Sequence, residues 1–250
     1  MRNKIGVVQL CSTSNAMENL GKITQFVQDA ALMKCKMVFF PECSDYIDGT
    51  HLDLSTQLKE LSFKYNMWMS IGIHHQTFNK TKMFNRQLVI DNKGKLVDYY
   101  DKIHLFSMLN ESDKFEAGKT LKVVDSPVGY LGLGICYDLR FPLFSSTLRE
   151  MGATLLTYPS AFTKKTGVHF EPLLIARAIE NQCFVVGAAQ CGNHGKRETF
   201  GNSLIVDPWG QVLARATKQE ELITATIDND YLLKIRSDMS VFEDKRADFN

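Results

Sequence analysis

Three short stretches of this chain each carry one chemically potent side chain: Pro41-Glu42, Asp101-Lys102-Ile103-His104-Leu105 and Gly134-Ile135-Cys136-Tyr137-Asp138-Leu139-Arg140-Phe141-Pro142. Together they supply a carboxylate, an ammonium and a thiol. Those are a base, an oxyanion stabiliser and a nucleophile, the minimum needed to open an amide or nitrile through a thioester. Each has an ordinary alternative. A free cysteine is most often a small buried hydrophobe. A loop glutamate is usually solvated, and a lysine beside Asp101 is commonly its surface partner.

The flanking elements favour the chemistry. Met37-Val38-Phe39-Phe40 is a short apolar strand ended by Pro41, so Glu42 lies at a strand's carboxyl end, where open α/β sheets place their sites. In a dry cleft its pKa should rise, which suits a base working near neutrality. Lys102 stands between Tyr99-Tyr100-Asp101 and Ile103, so a partly buried cation is expected there. It could steady an oxyanion and help hold Cys136 as thiolate. The strand from Gly129 runs into Cys136, and Pro142 suits the first turn of the following helix. A nucleophile on such a turn stands clear of the sheet, and the Tyr137 N–H can point at the developing oxyanion. His104 invites a Cys–His pairing, but such partners meet only in the fold and spacing identifies none. The other five histidines, His74-His75 among them, show no ligand spacing and are expected to be half-buried polar rings.

The remaining pattern is mixed. Strands are expected over 5–10, 67–73, 154–158, 184–189, 203–206 and 222–227, and helices over 16–33, 52–65, 143–151 and 170–181. Ser14 or Asn15 could cap the first helix. Residues 88–97 read as a hairpin, and Asp207-Pro208-Trp209-Gly210 as a type I turn. Early βα alternation with mid-chain hairpins predicts an α/β sandwich with mixed sheets, in one domain over 1–250.

Composition narrows the function classes. The chain has 250 residues, with 29 Lys plus Arg against 28 Asp plus Glu, so a net charge of +1 gives no reason to expect nucleic acid or an acidic membrane as partner. No apolar run approaches the roughly 18 residues of a membrane span. The apolar stretch after Met1-Arg2-Asn3-Lys4 is about six residues, too short for the core of a signal peptide, so a soluble cytoplasmic protein is expected. The six cysteines show no CxxC spacing, which suggests neither a zinc knuckle nor a thioredoxin-type site. No metal and no cofactor is expected.

The three stretches, in this order, resemble the nitrilase superfamily of carbon–nitrogen hydrolases, and within it the Nit branch. Supporting segments are Thr157-Tyr158-Pro159-Ser160-Ala161-Phe162, Ala176-Arg177-Ala178-Ile179-Glu180-Asn181-Gln182-Cys183, Ala188-Ala189-Gln190-Cys191-Gly192, Val206-Asp207-Pro208-Trp209-Gly210 and the tail from Val241 to Phe249. The resemblance implies a four-layer α-β-β-α sandwich, a homodimer, and a Glu42-Lys102-Cys136 triad. Glu111 matches a second family glutamate that orients the lysine, with Glu116 as its rival. The implied reaction is amide hydrolysis, with deaminated glutathione cut to 2-oxoglutarate and cysteinylglycine. An ω-amidase on 2-oxoglutaramate, another small amide or N-carbamoyl hydrolase, a Cys–His protease, and a non-catalytic binding protein on the same scaffold are the alternatives. The segment Thr166-Gly167-Val168-His169-Phe170-Glu171 is one residue shorter than the family pattern, with Phe for Trp. Recognising two anionic ends calls for cations at the cleft mouth. Arg140, Lys164, Lys165, Lys196 and Arg197, with Tyr137, are the substrate-binding candidates.

Overall fold

The computed structural model describes residues 2–79, 81–195 and 197–246. Its first sheet is built from β1 (Arg2–Gln9), β2 (Met37–Phe39), β3 (Trp68–Gln76), β4 (Met83–Ile90) and β5 (Leu96–Asp101), with helices α1 (Ala16–Leu32) and α2 (Ser55–Lys64) as the crossovers. A short helix, α3 (Glu111–Lys114), precedes the second sheet. That sheet contains β6 (Val123–Ser126), β7 (Gly129–Leu133), β8 (Leu155–Thr157) and β9 (Phe184–Gly187), with α4 (Pro142–Glu150) and α5 (Phe170–Asn181) as crossovers. A hairpin of β10 (Cys191–His194) and β11 (Arg197–Phe200) follows, then β12 (Leu204–Val206) and β13 (Val212–Arg215). Strand β14 (Glu221–Asp228) returns to the first sheet and α6 (Asn229–Asp238) closes the described chain.

The sheets run β14-β1-β2-β3-β4-β5 and β6-β7-β8-β9-β12-β13. Side-chain alternation explains the layering. In β1, Ile5 and Val7 face the core between the sheets, while Val8 faces the helices. In β2, Met37 and Phe39 point inward and Val38 points outward, as does Phe40 just beyond the strand. Ile23 and Val27 of α1 and Leu58 of α2 cover the outer face of the first sheet; Phe144, Leu148 and Leu174 of α4 and α5 pack into the second. Each of these buried apolar side chains contributes about 1.5–3 kcal/mol by leaving water. The result is the four-layer sandwich the resemblance implies.

Local chemistry sets the element ends. The Asn15 side chain caps α1, accepting from the Met17 and Glu18 N–H groups. The Gly210 N–H donates to the Asp207 carbonyl at 3.0 Å, closing the expected turn. Strand β7 ends at Leu133, three residues before Cys136, which opens a 3-10 turn. Strands β6, β10, β11 and β13 and helix α6 were not legible as elements; β6, β10, β11 and β13 are only four residues long and α6 is mostly polar. Among the described residues, no helix is long and apolar enough to cross a membrane.

Candidate active site

Glu42 sits just past the end of β2, 2% exposed. The loop carrying it crosses β3 at Gly72, where a Cβ would stand 2.7 Å from the Glu42 Cα and from the Pro41 carbonyl oxygen, so only glycine fits. Buried Asn19 of α1 donates to the Asp45 carbonyl at 2.9 Å, and the Gln190 side-chain amide donates to the Glu42 carbonyl at 2.9 Å. The backbone around Glu42 is thereby tied to a helix and to the segment after β9.

Lys102 follows the end of β5 and is fully buried. Its Nζ donates to Glu42 Oε1 and to the Glu111 carboxylate, both at 2.9 Å. Glu111 opens α3, and its other oxygen accepts from the Phe106 N–H at 2.8 Å, which holds it facing the lysine. Asn85 of β4 donates its side-chain N–H to the same Glu42 Oε1 at 2.6 Å. The Cys136 thiol lines the same cavity as the Glu42 carboxylate and helps to lower its pKa. Glu111 lines the cavity described below and Glu116 does not.

Cys136 is 9% exposed and has φ of 48°. A non-glycine residue in that left-handed region is sterically strained, as at a nucleophile-bearing turn between strand and helix. Its N–H donates to the Pro159 carbonyl at 2.9 Å. Asp138, fully buried, locks this turn to the lysine loop. Its carboxylate accepts from the Ile135 N–H and the Tyr100 hydroxyl on one oxygen, and from the His104 N–H on the other, at 2.7–3.0 Å. His104 Nδ1 also meets Asp138, at 2.7 Å, while its ring stacks on Phe141 at 3.7 Å. His104 therefore props the site and does not line the cavity beside Cys136, which removes the observation a Cys–His protease would need.

The electrostatics differ from the expectation in two respects. Burial pushes the Glu42 carboxyl up, but the Lys102 charge, the hydrogen bonds from Lys102 and Asn85, and the Cys136 thiol outweigh it and hold its pKa below the usual carboxylate value. Burial raises the Cys136 thiol well above its ordinary range, the Glu42 charge adds to this, and Lys102 only partly opposes it. That direction favours a thiol at Cys136 over the partly formed thiolate that a neighbouring cation suggests. Burial also raises Glu111, with Glu42 adding to it against Lys102. Lys102 itself loses from burial but is carried well above its ordinary value by Glu42, Cys136 and Glu111. Two carboxylates sharing one cation are thus pushed apart, the usual basis for different roles.

These groups open into a cavity of about 300 Å³ lined by Glu42, Cys43, Asn85, Glu111 and Cys136 at its floor. Arg140 and Arg197 line it, as the sequence suggested, and so does Lys114, which the sequence reading missed. Arg140 lies 3.3 Å from His169 Nδ1 and over the Phe162 ring. Lys164 is paired with Glu198 at 2.9 Å and exposed, and neither it nor Lys165 lines the cavity. The Tyr137 ring packs against Phe106 and Phe141 and is not part of the lining. Lys196 lies outside the described residues, as do the final residues of the tail motif. His74, expected to be a plain polar ring, is a lining residue whose Nδ1 is held by buried Asp45 at 2.9 Å. Among the described residues, no group of three or more His, Cys, Asp or Glu side chains is placed to hold a metal ion.

The Asn85, His74, Asp138 and Gln190 roles had little sequence signal. The one available hint was the polar run Asn85-Arg86-Gln87 inside an otherwise apolar strand, which demands buried partners.

A family model described as carbon-nitrogen hydrolase matches residues 4–236. The nitrilase and fragile histidine triad fusion protein NitFhit of Caenorhabditis elegans is 40% identical over 99% of this chain, which spans 61% of that protein's length. Its crystal structure superposes with a TM-score of 0.95 at 39% identity, covering 100% of this chain and 66% of that one. The deaminated glutathione amidase of Dictyostelium discoideum is 39% identical, covering 97% of this chain and 94% of the relative. Saccharomyces cerevisiae Nit3, a member of branch 10 of the nitrilase superfamily, matches with a TM-score of 0.89 at 29% identity, over 98% and 97% of the two chains.

Proposed function

The chain belongs to the carbon-nitrogen hydrolase family, and from that premise we propose that it is an amidase working through a cysteine thioester, as a single catalytic domain over residues 1–250. The observation that carries this is the buried Lys102 ammonium, 2.9 Å from both Glu42 and Glu111, with the Cys136 thiol lining the same cavity.

In the proposed reaction Glu42 takes the thiol proton as the Cys136 sulfur attacks the carbonyl carbon. Lys102 and the Tyr137 N–H steady the oxyanion. Charge growing on the substrate oxygen draws on the Lys102 field that had depressed Glu42, so Glu42 holds the proton better as the intermediate forms. Glu42 then gives that proton to nitrogen, the C–N bond breaks, and the amine leaves. Water enters, loses a proton to Glu42 and attacks the thioester. The C–S bond breaks, and the proton returns to sulfur. Glu111 keeps Lys102 aimed throughout.

The substrate we propose is deaminated glutathione, split into 2-oxoglutarate and cysteinylglycine. It carries an anionic group at each end, and Arg140, Arg197 and Lys114 on the cavity wall are suited to them. The competing substrate is 2-oxoglutaramate, which lacks the dipeptide half, or another small amide. Measured kcat/KM should favour deaminated glutathione strongly if the dipeptide half contributes binding; the reverse order would assign an ω-amidase. Intact-protein mass spectrometry during turnover should show an acyl adduct on Cys136. No adduct and no turnover across a panel of small amides would leave a non-catalytic binding protein. The reading includes a homodimer at a cytoplasmic location. The exposed apolar side chains Leu143, Val168, Ile179 and Trp209 support pairing through the face around α4 and α5, and sedimentation velocity tests it.

A further inference from the structure

One side chain on the cavity wall is aimed at a partner that the protein itself does not supply. His74 of β3 is buried and lines the cavity. The carboxylate of buried Asp45 accepts from the His74 backbone N–H and meets the ring Nδ1, both at 2.9 Å. A carboxylate only accepts, so Nδ1 carries the ring hydrogen and Nε2 is left with its lone pair. The rings of Tyr46 and Phe115 rest against the imidazole, with centres 4.4 and 5.4 Å from its own. That leaves the edge bearing Nε2 to face the cavity. Nε2 makes no hydrogen bond among the described residues, and it is not closed off: the buried side-chain atoms without a partner there include Asn85 Oδ1 but not His74 Nε2. His74 stands opposite Asn85 in the β3–β4 register, and Asn85 reaches Glu42 at 2.6 Å, so this edge opens beside the reacting groups.

A fixed acceptor selects a donor. In deaminated glutathione the 2-oxo acid half offers only carbonyl and carboxylate oxygens. The scissile nitrogen belongs at Glu42, which must protonate it. The remaining donors, the thiol S–H and the glycine N–H, both sit in the leaving half. We propose that the Asp45-His74 pair binds the leaving half of the substrate, with Nε2 accepting a hydrogen from its thiol or from its peptide N–H. The surroundings suit that half. Tyr46, Met83 and Phe115 line the same cavity and give an apolar wall that accommodates sulfur. Lys114, next in the chain to Phe115, brings a cation for the terminal carboxylate. His74 touches the substrate; Asp45 acts through it, fixing which nitrogen carries hydrogen. The pair thereby favours a dipeptide leaving group over the ammonia that 2-oxoglutaramate would release.

This inference rests on the amidase reading, and the test separates the two. The probes are amides of 2-oxoglutarate with three amines: cysteinylglycine, alanylglycine, which lacks the thiol, and cysteinylglycolate, in which an ester oxygen replaces the glycine N–H. All three form the same acyl-enzyme, so differences in kcat/KM arise in binding or acylation. In the wild type at least one altered probe should fall about tenfold below the parent, the scale of one lost hydrogen bond with its acceptor left unpaired. Which probe falls identifies the donor. His74→Phe keeps a ring between Tyr46 and Phe115 but removes the acceptor. It should lower the parent about tenfold and bring the three probes level, with the rate of acyl-enzyme hydrolysis unchanged. A merely structural role would lower all three alike and preserve their ratios, which overturns the inference. Equal wild-type values overturn it too, because a ring that donated to a carboxylate would meet the same group in all three. If His74→Phe leaves Asp45 unpaired and does not fold, that wild-type comparison decides. A wild type that cleaves none of the three overturns the amidase reading and this inference with it.

Discussion

The two sheets are copies of one plan. Taken across β14-β1-β2-β3-β4-β5 and across β6-β7-β8-β9-β12-β13, the neighbours pair antiparallel, parallel, parallel, antiparallel, antiparallel. Their contributions to the site are unlike. The first sheet carries the ion pair beside the thiol, Glu42 after β2 and Lys102 after β5, and Glu111 follows in the chain before the second sheet begins. Each ion there finds its partner without the second sheet. The second sheet brings the Cys136 thiol, the proposed nucleophile, on a strained turn held by Asp138. The division separates two problems. Burying an ion is tolerable only beside its counter-ion, whereas a thiol can be buried alone and needs only accurate placement.

That contrast can be broken in stages. Cys136→Ala has the largest expected effect on rate, abolishing turnover, yet should leave the melting temperature nearly unchanged, because little volume and no charge is lost. Calorimetry together with an activity assay checks both; retained activity would sink the mechanism. Lys102→Ala should act on both properties. Rate should fall about 10²-fold or more. Two carboxylates would be left around an empty position, and breaking a buried pair costs about 3–5 kcal/mol, or on the order of 10 °C in melting temperature. A loss below tenfold in rate with a large thermal shift would make Lys102 a structural cation.

The seam between the halves is the next target. Asp138→Asn keeps the size but weakens the bonds from Ile135, Tyr100 and His104. We expect about tenfold in kcat and a drop of about 5 °C, from charge-assisted bonds worth about 1.5–3 kcal/mol each. An unchanged acylation rate in stopped flow would show that the turn holds itself.

A pH series sharpens the electrostatic side. Glu42 titrates lower folded than unfolded, so its stabilising contribution is complete above its unfolded pKa of about 4.3 and is lost as pH falls through the lower folded value. Glu111 is raised, so it opposes this across the interval just above its unfolded pKa. Chemical denaturation from pH 7 to pH 3 should show stability falling as pH drops below about 4.3 in the wild type, with Glu42→Gln removing Glu42's share of that acid-side loss. The smallest effect is expected for His104→Gln, under tenfold in kcat/KM, since the ring props Asp138. A loss near that of Cys136→Ala would restore the Cys–His alternative.

Much of this was legible without a structure. A four-residue apolar run ended by proline places Glu42 at a strand end, a strand followed by Phe141-Pro142 places Cys136 on a turn, and the layering follows from alternation in β1 and β2. Local pattern was less informative where charge is exposed. Lys164-Lys165 and Arg197 look alike as loop cations, and only the path of the loops decides that Arg197 and Lys114 meet the cavity while Lys164 meets Glu198.

By itself, the sequence determined the residue types of the proposed triad, the strand ends that carry them and the α/β layering, because these depend on short-range periodicity and on turn chemistry. Tertiary structure alone decided their protonation. Glu42 meets Asn85 and Lys102 across 43 and 60 residues of chain, and that meeting reverses the rise in pKa that burial alone would give. Cys136 is pushed toward the thiol form because its turn is sunk into the core beside an ionised carboxylate. Desolvation and pairing depend on what lies within a few ångströms in space, and residues far apart in sequence supply it.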